Sequence, residues 1–169
     1  HLSIADVSER TRLTERYIIA LEERDIHAFE DDLSYLRYFV RAYCDAVGVP
    51  YDMVREDVQE AIQSQIDTLK EQDHTMEDPL LIFDPYGTNT TSLYIWFEEE
   101  EASALSYTIQ CDGYADFSRT LYSNSEDNTS STHEHQLIGL VPGESNTITL
   151  SAKDSDGTLL EQVKFTVEA

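Results

Sequence analysis

The spacing of apolar residues changes once along this 169-residue chain, and that change predicts two parts of different fold class. Up to about residue 65, apolar residues recur every three or four positions, which is the period of amphipathic helices. From Leu80 onward, short alternating runs are separated by Gly, Pro, Asn and Asp, the pattern of a β-sandwich. We therefore expect an all-α domain at 1–65, a linker at 66–79 and an all-β domain at 80–169.

Two short helices joined by a tight turn are predicted at the start of the chain, as in a helix-turn-helix. Ser3 is placed to cap the first helix, with Asp6 in the capping-box position three residues later, and Thr14 is placed to cap the second. The internal contacts of this unit are expected from the apolar residues Ile4, Val7, Leu13, Ile18 and Leu21.

Two strings in the helical part resemble a known family. LSIADVSERTRLTERYIIALEERD, residues 2–25, resembles the second and third helices of the phage-repressor-like helix-turn-helix superfamily. LRYFVRAYCDAVGVP, residues 36–50, looks like the following helices of the RodZ family, which are bitopic bacterial cell-shape proteins whose cytoplasmic helix-turn-helix domain binds the actin-like filament protein MreB. The residues that fall on this pattern are Arg37, Arg41, Tyr43, Gly48 and Pro50.

The resemblance carries expectations about parts that are not in this sequence. The family's first helix would precede Leu2, so we expect the helical domain at 1–65 to lack it. A single membrane span would fall within 66–79, and we expect it to have been removed or to lie in residues missing at that junction. The intact protein would then sit in the bacterial cell membrane, with its helical half in the cytoplasm and its β half outside.

The charge of the chain disfavours binding to nucleic acid or to an anionic membrane surface. The chain has 34 Asp and Glu against 11 Lys and Arg, a net charge of −23. Residues 1–63 hold seven Arg and fourteen Asp or Glu, a net charge of −7, and affinity for phosphates grows with the number of cations delivered. DNA binding stays open as the alternative, and its candidate reading residues are Arg12, Thr14 and Arg16.

A protein partner is the leading expectation for the helical half, and the resemblance points to an actin-like filament protein. The acidic stretch Glu30-Asp31-Asp32, flanked by the aromatic residues Phe29 and Tyr35, could form the docking surface. In this interpretation all five side chains are exposed.

The β half is predicted to be an immunoglobulin-like or fibronectin type III-like sandwich of seven strands. The candidate strands are 80–83, 92–98, 104–111, 117–122, 134–137, 146–152 and 159–167. The residues expected to point inward are Tyr94, Trp96, Leu105, Tyr107, Ile109, Leu121, Ile148, Leu150, Phe165 and Val167.

Nearly all of the β half also resembles a known module. DPYGTNTTSLYIWFE (84–98), FSRTLY (117–122) and HEHQLIGLVPGESNTITL (133–150) are similar to the small N-terminal immunoglobulin-like domain of bacterial aryl-sulfate sulfotransferases. In those enzymes the chemistry belongs to a following β-propeller with a catalytic histidine, and this sequence holds nothing of that propeller. The resemblance therefore implies a non-catalytic module outside the cytoplasmic membrane, used for packing or partner contact.

The sequence contains only weak motifs for catalysis or metal binding. His133 and His135 could share one face of a strand, but His-x-His alone is a weak zinc pattern, and no nucleophile or phosphate-loop motif is found. We expect no enzyme activity, no metal, no cofactor and no small-molecule substrate. A third possibility is a carbohydrate-binding sandwich that uses Tyr86, Tyr94 or Trp96, if these rings are exposed.

Overall fold

A computed structural model of the protein describes residues 2–169, which divide into two compact units. The helical unit runs to Glu71 and includes Pro85–Gly87, and the β unit comprises Gln72–Asp84 and Thr88–Ala169. The predicted order, helices followed by an immunoglobulin-like β domain, is confirmed. Within residues 2–169, no helix combines the length and the apolar character needed to cross a bilayer.

The helical unit is built from short elements. Its α-helices within residues 2–169 are α1 (Ile4–Thr11), α2 (Glu15–Glu23), α3 (Leu36–Val47) and α4 (Arg55–Leu69), and 3₁₀ turns occupy Ile26–Tyr35 and Tyr51–Met53. The capping box predicted at α1 is present, since the Ser3 hydroxyl accepts from the Asp6 N–H at 3.2 Å and the Asp6 carboxylate accepts from the Ser3 N–H at 2.8 Å.

The core of the helical unit draws on every helix and on the first 3₁₀ segment. Val7 and Ile18 are buried as predicted, whereas Ile4, Leu13 and Leu21 are half-buried. The other buried apolar side chains of this unit are Ala20, Phe29, Leu33, Leu36, Cys44, Val58, Ile62 and Ile66.

The segment predicted as a linker is divided between the two units. Its first residues continue α4 as far as Leu69, and its last residues belong to the β unit from Gln72 onward. Met76 is only 2% exposed and packs in the core of the β unit. Part of 66–79 is therefore integral to the sandwich.

The β unit is a curled antiparallel sheet whose strands close around one core. Within residues 2–169 the strands are β1 (Leu80–Phe83), β2 (Ser92–Gln110), β3 (Phe117–Thr120), β4 (Ser130–Ile138), β5 (Ser145–Lys153) and β6 (Leu159–Glu168). The first part of β2 lies between β1 and β4, and its last part lies between β3 and β5, with β6 beyond β5.

The prediction of seven strands was wrong because 92–98 and 104–111 are parts of the single strand β2. The register with β4 shifts between Glu98 and Ser103, where the strand passes from one set of partners to the other. The acidic run Glu98–Glu101 lies within β2 at this irregularity. Glu98 pairs with Thr132 of β4, and the next paired residue of β2 is Ser103, opposite Ser130.

Because β2 is one continuous strand, the side chains that face the core differ from those predicted. Side chains two apart share one face of a strand, and the core residues of β2 all have odd numbers: Leu93, Ile95, Phe97, Leu105, Tyr107 and Ile109. Tyr94 and Trp96 were predicted to join Leu105, but they lie on the opposite face. They are still buried, at 2% and 7% exposure.

Candidate functional site

The helix-turn-helix is held by a short hydrogen-bonded turn between α1 and α2. Arg12 ends α1 in the left-handed region (φ 60°), and its N–H donates to the Ser8 carbonyl at 2.8 Å. The Ser8 hydroxyl donates to the Leu13 carbonyl at 2.6 Å. These bonds satisfy backbone groups at the helix end and fix the direction in which α2 begins.

The three candidate DNA-reading residues lie close together at the start of α2. Arg12 is in the turn, Thr14 is the N-cap and Arg16 is in the first helical turn, and all three are exposed. The Arg16 guanidinium donates to the Ala28 carbonyl at 3.5 Å and lies 5.7 Å from the centre of the Tyr17 ring. Part of its donor capacity is therefore used inside the protein.

The exposed surface of α2 is predominantly acidic. Glu15, Glu22 and Glu23 are exposed, and Arg16 is the single basic residue within the helix. Glu22 accepts a hydrogen bond from the Tyr43 hydroxyl at 3.1 Å, which ties α3 to this helix. Carboxylates along a helix that reads DNA would face phosphate oxygens, so their repulsion opposes that docking.

Phe29 was predicted as part of an exposed docking surface, and that prediction was wrong. It is 1% exposed, its ring stacks on Tyr17 with centroids 5.2 Å apart, and Phe39 lies 6.1 Å away. The sequence analysis placed Phe29 at the surface beside the acidic stretch. The 3₁₀ turns instead bury Phe29 together with Leu33, four positions further on.

The other four predicted docking residues remain at the surface, and we call Glu30, Asp31, Asp32 and Tyr35 the acidic docking surface. Glu30 and Asp31 are exposed, and Tyr35 is 58% exposed. Asp32 is half-buried and accepts a hydrogen bond from the Tyr17 hydroxyl. This hydrogen bond raises the pKa of Tyr17 and holds the Asp32 carboxylate in place.

A stack of aromatic rings supports the exposed Tyr35. Its ring lies 6.3 Å from that of Phe39 with 18° between the planes, and Phe39 lies 5.1 Å from Tyr17. The sequence analysis missed this support, although Tyr35 and Phe39 have the spacing of neighbours on one helix face. The exposed Tyr35 therefore packs against the aromatic rings of the helical unit.

Further exposed apolar side chains of the helical unit lie outside the acidic docking surface. They are Ile19, Tyr38, Val49 and Met53, at 39%, 45%, 39% and 75% exposure. The exposure of Val49 and Met53 was not predicted from the sequence. Pro50 was the available signal for Val49 and Met53, because a proline interrupts the helical pattern and marks the short connection between α3 and α4 in which both residues lie.

Glu99, Ser103 and His133 form a hydrogen-bonded cluster in the β unit. His133 Nε2 lies 3.0 Å from Glu99 Oε2 and 3.2 Å from Ser103 Oγ, and the Ser103 hydroxyl donates to Glu99 at 2.6 Å. A nucleophilic serine and its carboxylate use different nitrogens of the histidine, whereas both partners here meet one nitrogen. The cluster therefore ties β4 to the bend of β2 rather than activating Ser103.

Burial governs the titration of both strand histidines. It lowers the pKa of His133, against the opposing effect of the Glu99 carboxylate, and it lowers the pKa of His135, where the neighbouring His133 adds to the effect. Their rings are 6.1 Å apart. Residues 2–169 contain no group of three or more His, Cys, Asp or Glu side chains arranged to hold a metal ion.

The comparisons with known proteins agree with these two units. A family model described as a helix-turn-helix domain matches residues 1–54, and one described as an arylsulfotransferase Ig-like domain matches residues 80–169. A search of curated proteins finds no match to the chain. The second model spans all six strands described above and more than half of the chain. The chain thus belongs to the arylsulfotransferase Ig-like domain family.

Proposed function

We propose that this chain is a non-catalytic adaptor whose helical unit docks a protein partner and whose Ig-like unit makes contacts outside the cytoplasm. The acidic docking surface carries the proposal, because it joins a supported, exposed Tyr35 to adjacent carboxylates. Aromatic residues with little freedom to move are frequent energetic centres of protein interfaces. Carboxylates at the rim steer a basic partner toward such a centre.

The partner should carry Lys and Arg around an apolar pocket. The net charge of −7 over residues 1–63 and the three glutamates of α2 favour basic protein surfaces over phosphates. The resemblance to the RodZ family adds an actin-like filament protein as the partner, and a membrane span of the intact protein that residues 2–169 do not contain. In this proposal the intact protein links a cytoplasmic filament to contacts made by the Ig-like unit on the other side of the membrane.

Co-sedimentation of the full chain with a purified actin-like filament protein tests the proposal. We expect binding at low micromolar concentration, weakened at least tenfold by Tyr35→Ala and by the double change Glu30→Lys with Asp31→Lys. Tyr122→Ala is the matched control, because Tyr122 is 79% exposed but lies in the β unit. Absence of association at about 50 µM, or equal weakening by the control, would contradict the proposal.

DNA binding, with the β unit as a sensor, is the second candidate function. Its support is the match to a helix-turn-helix model and the grouping of Arg12, Thr14 and Arg16 at the start of α2. Binding to duplex DNA should then weaken as salt rises, and Arg16→Ala should lower the salt slope by about 1. Arg24→Ala, at the other end of α2, is the control. An Arg16→Ala variant with unchanged affinity and slope would exclude this function.

A further inference from the structure

The β unit ends at an exposed edge strand. β6 pairs with β5 on one side, and no second partner strand is found for it within residues 2–169. Its outward side chains are exposed, namely Gln162, Lys164, Thr166 and Glu168. Its inward side chains pack against the core but are only half-buried, namely Val163, Phe165 and Val167. A free row of backbone groups beside half-covered apolar side chains is a template for another strand.

We propose that β6 pairs in antiparallel fashion with β6 of a second copy of this chain, which joins two β units into one continuous sheet. Pairing of this kind places the same strand on both sides of a two-fold axis. Each residue of β6 must then be compatible with the residue that lies opposite it in the second, antiparallel copy of the same strand.

The charges on the outward face select one register. Residues directly opposite in an antiparallel pair share a face, so outward residues meet outward residues. With Thr166 opposite Thr166 on the axis, each Lys164 lies opposite Glu168 of the second copy. A register centred on Lys164 would instead oppose two ammonium groups, which is unfavourable. Lys164 is one of only three lysines in the sequence.

The inward face fits the same register. Phe165 lies opposite Val167 of the second copy, and Val163 lies opposite its Ala169. All four residue positions pack against the core of the β unit and are half-buried in the single copy. Pairing of aromatic with β-branched side chains across strands is favourable, so the contact covers apolar surface that one copy leaves partly exposed.

A second copy suits this edge better than an unrelated extended segment does. Because of the two-fold symmetry, the Lys164–Glu168 pair forms twice. Each copy of β6 contributes one Lys164 and one Glu168 to these pairs. The net charge of −23 on each chain opposes association over long distances. Near physiological ionic strength, salt screens the repulsion between charges that lie more than about 8 Å apart. It therefore weakens the long-range repulsion but does not prevent contact between the paired strands.

Sedimentation velocity over a range of concentrations, in about 150 mM salt, tests the pairing in the full chain. We expect a concentration-dependent dimer that Lys164→Glu or Glu168→Lys weakens at least tenfold, because each creates two like-charge pairs. The double variant exchanges the charges and should restore the dimer. A chain that is monomeric at every concentration would overturn the proposal, and so would a dimer that none of these substitutions changes.

A cysteine placed on the axis provides an independent test. Opposed Cα atoms of antiparallel strands lie about 4.5–5.5 Å apart, within the reach of a disulfide. Thr166→Cys should therefore form a disulfide-linked dimer when oxidised with diamide. Gln162→Cys is the matched control, because it is exposed on the same face but lies beyond the paired residues 163–169. Equal cross-linking of the two variants, or none by Thr166→Cys, would refute the register.

Discussion

Tyr17 connects the core of the helical unit to its acidic docking surface. Its ring packs against those of both Phe29 and Phe39, and its hydroxyl donates to Asp32. A side chain placed in this way transmits changes in packing to a surface carboxylate. If the acidic docking surface binds a partner as proposed, mutations behind it should affect binding as well as stability.

Removal of the Phe29 ring should destabilise the chain strongly. Phe29 is 1% exposed, and Phe→Ala substitutions at such positions cost about 3–5 kcal/mol in free energy of unfolding. Tyr35→Ala, at a ring that is 58% exposed, should cost less than about 1 kcal/mol. Urea denaturation of both variants checks this, and similar losses for the two would contradict the difference in burial.

The two strand histidines should make stability fall as the pH is lowered. Burial lowers the pKa of His133 and His135 below their ordinary value of 6.5. The unfolded chain then takes up protons first, so the stabilisation is complete above pH 6.5 and is lost as the pH falls toward the lowered pKa values. Glu161, whose pKa burial raises, acts in the opposite sense nearer its ordinary value of 4.5.

Denaturation between about pH 7.5 and about pH 5.5 measures this effect across the ordinary histidine range. We expect the free energy of unfolding to decline over that interval and His135→Gln to reduce the decline. His27→Gln is the control, because His27 is exposed at the surface of the helical unit. A profile that His135→Gln leaves unchanged would show that this histidine does not contribute.

The long strand β2 explains which part of the fold could be predicted from the sequence. Periodicity correctly separated the helical part of the chain from the β part, and cap residues such as Ser3 placed the start of α1. The sequence analysis divided β2 into two strands, 92–98 and 104–111, however, because local patterns carry no information on pairing with β4. This division allowed Tyr94 and Trp96 to be placed on the core face. The same limit applies to Phe29, whose burial depends on contacts with distant Tyr17 and Phe39.

The environment of Trp96 can be measured directly, because it is the only tryptophan in the sequence. At 7% exposure its fluorescence maximum should lie well to the blue of free tryptophan and should move to longer wavelength on unfolding. Quenching by iodide should be weak in the folded chain. An emission maximum typical of exposed indole would contradict its burial and would reopen carbohydrate binding at this face.

The net charge of the chain affects the stability of the whole molecule. A net charge of −23 generates self-repulsion in the compact state. Salt screens this repulsion, so the charge should also set how the chain responds to ionic strength. The same repulsion disfavours non-specific association with other acidic molecules.

Raising sodium chloride from about 20 to about 200 mM should increase the melting temperature by about 2–6 °C. Calorimetry or circular dichroism would measure the increase. The double change Glu100→Gln with Glu101→Gln removes two exposed charges and should make the increase smaller. A melting temperature that falls with salt would mean that attractive ion pairs dominate.

Strand β2 pairs with four other strands, β1, β3, β4 and β5, and this pairing affects how the β unit responds to mechanical force. A force applied along this strand would be divided among the hydrogen bonds to four neighbours, which are loaded together in shear. A force applied across β6, in contrast, would break its bonds to β5 one after another. The β unit should therefore resist tension along β2 far better than peeling at its edge.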